Sequence, residues 1–326
     1  MNEITEPLSL SEHDLKVFTH DVLSGLKSTP KQLLSKYLYD EKGDALFRQI
    51  MQAPEYYLTD CEMEIFKNQC MEMTGPLRDL KNGFDLIELG AGDASKSFYL
   101  LQSLISQGFD FTYYPIDISP NIIRLLTQQL PERLPGINIQ GIQGDYFQAL
   151  DQAAAISSRP KLVMFLGSNI GNMSPEEALQ FCIELRSKLS AGDFVLMGFD
   201  LKKDPWVIFN AYNDQAGITE MFNLNLLARI NTELGANFEL RHFHHYENYD
   251  PETGACKSYL ISKTNQTVTV AGERIAFAEH EYIFTETSHK YAPDQIDAFA
   301  AGAYFEPVLK LQDSKGWFTD VIWQAL

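Results

Sequence analysis

Residues 85–96 read Asp-Leu-Ile-Glu-Leu-Gly-Ala-Gly-Asp-Ala-Ser-Lys, an apolar run that ends at Glu88 and gives way to a turn with two glycines. Gly90 and Gly92 permit a tight turn and a close approach of backbone to a ligand, and a helical pattern starts at Ser95. A second apolar run ends at Asp117, and a carboxylate at a strand end can accept paired hydrogen bonds from the vicinal hydroxyls of a ribose. A third stretch, 137–143, alternates apolar and polar residues at first and leads to Asp145 beside Tyr146. That pair offers an acceptor for an adenine amino group and a flat face for its ring. Together these positions can bind a nucleoside.

The third position of the loop narrows the choice. A dinucleotide site places Gly or Ala three residues after the second glycine, so that helix and strand close around a pyrophosphate; Ser95 stands there instead, next to Lys96. S-adenosylmethionine (AdoMet) has the ribose, lacks phosphate and ends in a carboxylate that Lys96 could pair with. A nicotinamide oxidoreductase is the rival reading. A non-catalytic AdoMet-binding module and a close-packed turn without a ligand are the others.

The elements that must position these residues alternate. Strand patterns at 84–89, 111–116, 137–143, 161–165 and 194–199 are separated by helical stretches, which predicts a wound α/β architecture. Ser174, Pro175 and Glu177 spell a capping box before a helix at 178–189. Two strand patterns, 308–312 and 318–325, flank Asp313-Ser314-Lys315-Gly316 and predict an antiparallel hairpin that closes the sheet. The sheet domain is therefore expected over 61–199 and 287–326. Residues 1–60 and 200–286 do not fit that alternation and are expected to form a second lobe, a lid that excludes water from the carboxyl ends of the strands.

Composition bounds the partners. With 326 residues, two domains are favoured over one. Acidic residues number 44 against 26 basic ones, and the formal charge of -18 repels phosphate backbones and anionic membranes. No nucleic acid or membrane partner is expected, only a small molecule bound by a monomer. Cys61, Cys70, Cys182 and Cys256 are scattered, and residues 1–6 show no leader pattern, so a cytoplasmic location with reduced thiols is expected. His242, His244 and His245 lie close together without a carboxylate or cysteine at ligand spacing, so no metal is expected.

Several further motifs converge on one family. Residues 39–47 (YDEKGDALF), 54–57 (PEYY), 165–172 (FLGSNIGN), 198–205 (GFDLKKDP), 211–214 (AYND), 222–225 (FNLN) and 285–288 (TETS) resemble the histidine-specific Nα-methyltransferases of ergothioneine biosynthesis, in order and over nearly the whole chain. The resemblance implies a Rossmann-like class I methyltransferase sheet with a second, substrate-binding lobe. The implied reaction is AdoMet-dependent trimethylation of the α-amine of L-histidine to hercynine. Carried onto this chain, Gly90, Lys96, Asp117, Asp145 and Tyr146 would hold AdoMet, with Glu88 and Gly92 in the same cofactor loop. Tyr39 and Tyr212 would hold the amino-acid carboxylate, Asn172 and the Gly167 backbone would orient the amine, and Tyr56, Glu286 and Ser288 would read the imidazole. Asn172, Tyr39 and Tyr212 are thus the expected catalytic set.

This chain departs from the family at two places. Tyr146 stands where Phe is common, and Ser258 stands in residues 257–260 (KSYL) where a Met usually lines the imidazole wall. The second departure keeps another aromatic amino acid, such as tryptophan, open as the substrate. Each residue also has an ordinary role: the tyrosines as amphipathic core aromatics, Glu286 as a solvated strand end and Asn172 as a turn residue.

Overall fold

A computed structural model describes residues 12–80 and 83–326; residues 1–6, read above for a leader, lie outside that range. The chain divides into two compact units. The larger comprises 57–204, 251–255 and 288–326; the smaller comprises the residues up to Tyr56, 205–250 and 256–287. Helix Tyr57–Asn68, which the sequence reading splits at 60, thus lies wholly in the larger unit. The Tyr57 hydroxyl donates to Asp200 at 2.8 Å there. Residues 251–255 join the same unit, where Lys202 Nζ donates to the Glu252 carbonyl at 2.9 Å.

The larger unit is built on an eight-stranded sheet. From one edge it runs Phe305–Gln312, Phe318–Ala325, Phe194–Asp200, Lys161–Phe165, Phe84–Leu89, Phe111–Asp117 and Asn138–Ile139, with Ile142–Gln143 also paired to Phe111–Asp117. All pairings are parallel except those of Phe318–Ala325, which is antiparallel to both neighbours. Strands Phe84–Leu89, Lys161–Phe165 and Phe194–Asp200 are buried at every position, as a sheet with covered faces requires. One face packs on helices Tyr146–Ile156, Pro175–Ser187 and Pro293–Gly302 through Leu150, Phe181, Leu185 and Phe299. Ser174 and Glu177 form the expected capping box. The strand expected over 137–143 is instead two short pieces, because Gly141 between them lies against Ile123; an added Cβ would sit 2.5 Å from the Ile123 Cγ2. This is a Rossmann-like, wound α/β sheet closed by an antiparallel hairpin.

The smaller unit holds a second, four-stranded sheet in the order Lys31–Gln32, Tyr282–His289, Ala255–Ser262 and Phe243–Tyr249, and a separate hairpin of Gln266–Val270 with Glu273–Phe277. The outermost residues Ala255, Ser288 and His289 count with the larger unit. Helix Ile218–Leu234 buries Phe222, Asn223, Asn225 and Leu226 and packs beside helix Glu41–Ile50. Asp40 caps that helix through the Gly43 amide and accepts a second bond from Asn225 Nδ2 at 2.8 Å. Among the described residues no helix is long and apolar enough to cross a membrane.

Candidate active site

In the larger unit the glycine loop sits at the carboxyl end of strand Phe84–Leu89, where an open α/β sheet presents its ligand crevice. The amides of Gly90 and Ala91 both donate to the Ile116 carbonyl, which ties the loop to the strand that ends at Asp117. Asp117 accepts from the Gly92 amide at 3.2 Å and the Ser119 amide at 2.9 Å, while burial pushes its carboxyl upward in pKa against those donors. The carboxylate keeps acceptor capacity beyond its backbone donors for a ribose hydroxyl. Gly90 has φ +70°, and a Cβ there would stand 3.1 Å from the Tyr146 hydroxyl, so bare backbone is needed to leave the cradle open. Asp145 is exposed and caps helix Tyr146–Ile156 through the Phe147 amide at 3.2 Å, an ordinary structural role alongside the adenine contact expected of it. These residues suit a nucleoside cofactor without phosphate.

Beneath the loop lies a group of buried charges. Glu88 accepts from the Tyr113 hydroxyl at 2.5 Å, and burial raises its pKa to about 7. It therefore supports the loop from below. Lys96, expected to meet the carboxylate of the cofactor, is ion-paired with Glu62. Burial opposes its charge, but Glu62 holds its pKa above the usual lysine value. Glu62 is 1% exposed and also accepts from the Gly167 amide, at 2.8 Å by Oε1 and 3.1 Å by Oε2. Asp320, equally buried, lies near it, and burial followed by the Glu62 charge drives its carboxyl well upward. Glu62 and Asp320 come from a helix and a terminal strand distant in sequence from the loop; no local motif marks them.

The turn expected to hold an amine follows strand Lys161–Phe165. Gly167 gives its amide to Glu62, so a substrate amine can use only the other polar group of that peptide unit's residue, its carbonyl. Asn172 ends the short helix Asn169–Asn172 and is exposed. Asn169 is the asparagine next to the loop: its Nδ2 lies 3.7 Å from the point a Gly90 Cβ would occupy. Ser288 accepts from Lys290 Nζ at 2.8 Å, and Lys290 is ion-paired with Asp200 at 2.9 Å, both fully buried. Asp200 also meets Lys203, whose pKa is lowered by burial and by Lys290.

The smaller unit gathers the three tyrosines. Tyr39 packs edge-on against Phe47 and Phe222, each at 5.5 Å between ring centres, Phe47 meets Tyr56 at 6.3 Å, and Tyr56 meets Tyr212 at 6.0 Å. Residues 39, 56 and 212 thus belong to one aromatic cluster. Ser258 and Glu286 stand on neighbouring strands, Ala255–Ser262 and Tyr282–His289. Ser258 is buried, stands opposite Glu247 in register and donates to its carboxylate at 2.5 Å; Cys256 donates to the same group at 2.9 Å. Tyr259 instead packs its ring against Phe284 and Tyr282, on the face opposite Ser258. Ser258 thus has a structural partner of its own, alongside the imidazole-wall role expected of it. Glu247 lacked a sequence signal because one acid in a tyrosine-rich strand looks like a solvated charge. His244 and His245 are successive strand residues and point to opposite faces.

An AdoMet-type cradle at the carboxyl end of a Rossmann-like sheet defines the class, an AdoMet-dependent methyltransferase, and comparison with known proteins agrees. The family described as histidine-specific, SAM-dependent methyltransferases matches residues 18–325, and the chain belongs to that family. It is 35% identical over 286 residues to a histidine N-alpha-methyltransferase of Mycolicibacterium smegmatis, with 87% of each chain covered. A histidine N-alpha-methyltransferase of Mycobacterium tuberculosis is 33% identical over 300 residues, 91% of this chain and 92% of that one. Ergothioneine biosynthesis protein 1 of Neurospora crassa is 32% identical over 288 residues, 86% of this chain and 32% of the fungal protein.

Proposed function

We propose that this protein methylates the α-amine of free L-histidine three times, giving hercynine within ergothioneine biosynthesis. The observation that carries the reading is the joining of Tyr39, Tyr56 and Tyr212, the tyrosines that the family resemblance singles out, in one aromatic cluster of the smaller unit. Phenol hydroxyls of Tyr39 and Tyr212 bind the carboxylate without the competing charge of an arginine. Tyr56, Glu286 and Ser288 read the ring, Glu286 by accepting from a proton-bearing nitrogen. Asn172 and the Gly167 carbonyl orient the amine. Asn172 is a side-chain amide without useful basicity, so the amine proton leaves through water or a neighbouring hydroxyl.

Asp117 holds the ribose hydroxyls, Asp145 and Tyr146 hold the adenine, and the bare Gly90 lets the loop approach. Bound AdoMet would supply an already activated methyl on its sulfonium, which leaves positioning and exclusion of water to the protein. The activity is assigned to a monomer in the cytoplasm, and light scattering tests the first part. Mass spectrometry of a mixture of free amino acids incubated with AdoMet tests the function. Histidine should gain three methyl groups ahead of every other amino acid; preferential methylation of tryptophan would replace the assignment.

A further inference from the structure

Glu62 belongs neither to the glycine loop nor to the turn at Gly167, yet it is bonded to both. It projects from helix Tyr57–Asn68, one of that helix's buried residues, and is 1% exposed. Its carboxylate pairs with Lys96, the residue immediately before helix Ser97–Ser106, and takes the Gly167 amide on both oxygens, at 2.8 and 3.1 Å. Lys96 Nζ in turn lies 3.4 Å from the point a Gly167 Cβ would occupy. Space for this arrangement is made in the sheet. Gly198 pairs in register with Asp320, and a Cβ at Gly198 would fall 2.5 Å from Glu62 Oε1 and 3.1 Å from Asp320 Oδ1. Both Asp320 oxygens are buried without a hydrogen-bond partner, and burial together with the Glu62 charge drives the pKa of that carboxyl upward. Glu62, by contrast, has donors to meet its carboxylate.

We propose that Glu62 is a positioning residue of the methyl transfer, fastening the Lys96 end of the cofactor loop to the Gly167 turn so that methyl donor and amine are held in register. The proposal rests on the reading that the Gly167 turn receives the amine. Two loops on separate strands otherwise move independently, and a displacement of about 1 Å between reacting groups costs up to about a hundredfold in rate.

The test uses Glu62→Asp, which keeps the charge but withdraws it by one methylene, and Glu62→Gln, which keeps the size and one acceptor but leaves Lys96 without its counter-charge. In the cofactor-free protein, hydrogen exchange of the Gly167 amide should speed up by about tenfold or more in Glu62→Asp, because an amide that loses its buried acceptor exchanges from a more open turn. With AdoMet and histidine, kcat should fall about ten- to a hundredfold while KM for histidine changes little, and mono- and dimethylhistidine should accumulate. AdoMet affinity, read by calorimetry for Glu62→Gln, Lys96→Met and the double variant, should be non-additive. Parental Gly167 exchange together with additive affinities in folded variants overturns the proposal. So does a fall in melting temperature alone, with kcat and product distribution unmoved. Should Glu62→Asp not fold, the isosteric Glu62→Gln carries the kinetic measurement. A parent protein that leaves histidine unmodified refutes the substrate reading, while exchange and affinity still decide the role of Glu62.

Discussion

The two units solve recognition with different materials. Under the glycine loop the larger unit buries Glu62, Glu88 and Asp320 around Lys96; an ion pair and the Gly167 amide meet Glu62, and a phenol meets Glu88. The smaller unit lines its tyrosines with other rings and holds the buried acid Glu247 on a face shared with Ser258. A cofactor cradle made of backbone needs rigid, charged support from behind. A pocket for an amino-acid side chain needs shape and a few hydroxyls, and its buried charge can serve the fold alone. The contrast is open to attack from both sides.

The largest expected effect falls on the smaller unit. Ser258→Met removes a donor to the buried Glu247 and forces a longer side chain against it. Loss of a hydrogen bond to a charged group and overpacking of a core cost about 1.5–3 and about 1–3 kcal/mol respectively, so urea denaturation should report a loss of roughly 3 kcal/mol or more. The ratio of histidine to tryptophan turnover should stay where it is. A stable variant with an altered ratio would put Ser258 in the substrate wall.

The support beneath the cofactor loop should show itself through pH. Glu88 has its folded pKa raised by burial from 4.5 to about 7, so the native state holds that proton more tightly than the unfolded chain. Its contribution to stability is therefore full below about pH 4.5 and declines as pH rises through about 7, by about 3 kcal/mol in all. Glu88→Gln keeps an acceptor for Tyr113 and removes the titration. Measured against the parent, it should gain relative stability across that window and hold the gain above it. A difference independent of pH would mean that Glu88 is solvated or paired in the folded protein.

These two residues also mark what the sequence made legible. The glycine loop, Asp117 and Asp145 could be read because a turn of this kind demands particular residue types within a short window, and the strand alternation around them carried the wound sheet. Glu62 and Asp320 could not, because each is a single acid outside any local motif, and the Gly167 amide that donates to Glu62 and the Gly198 that stands opposite Asp320 lie more than a hundred residues away. The three tyrosines sat between these cases. Nothing local distinguishes them from core aromatics, and only the matching order of motifs singled them out. Ser258 shows what that route leaves out: a position can match a family strand while its side chain also makes a hydrogen bond that the family residue could not make.

Asp117→Ala tests the cofactor side at a smaller scale. Removing a charged acceptor from two ribose hydroxyls should weaken AdoMet binding by about 1.5–3 kcal/mol, read directly by calorimetry. The Gly92 and Ser119 amides lose their acceptor as well, so the loop itself should loosen. Equal affinities in variant and parent would place the ribose elsewhere, and tight NAD binding without AdoMet binding would favour an oxidoreductase.

The smallest effect is the most specific. Tyr212→Phe keeps the ring that packs on Tyr56 and deletes only the hydroxyl. Since the aromatic cluster survives, stability should fall by no more than about 0.5–1.5 kcal/mol, the worth of one hydrogen bond. If the hydroxyl holds the substrate carboxylate, KM for histidine should rise by the value of one hydrogen bond to a charged group, about 1.5–3 kcal/mol at most and closer to 1 where water replaces it. Histidine amide, which lacks that charge, should react poorly with the parent and lose little further in the variant. The two substrates thus form a cycle: the effect of the mutation must be larger for histidine than for its amide. Equal effects on both would show that Tyr212 only fills space, and the smaller unit would then contribute shape without the hydroxyl chemistry that sets it apart from the charged floor of the larger one.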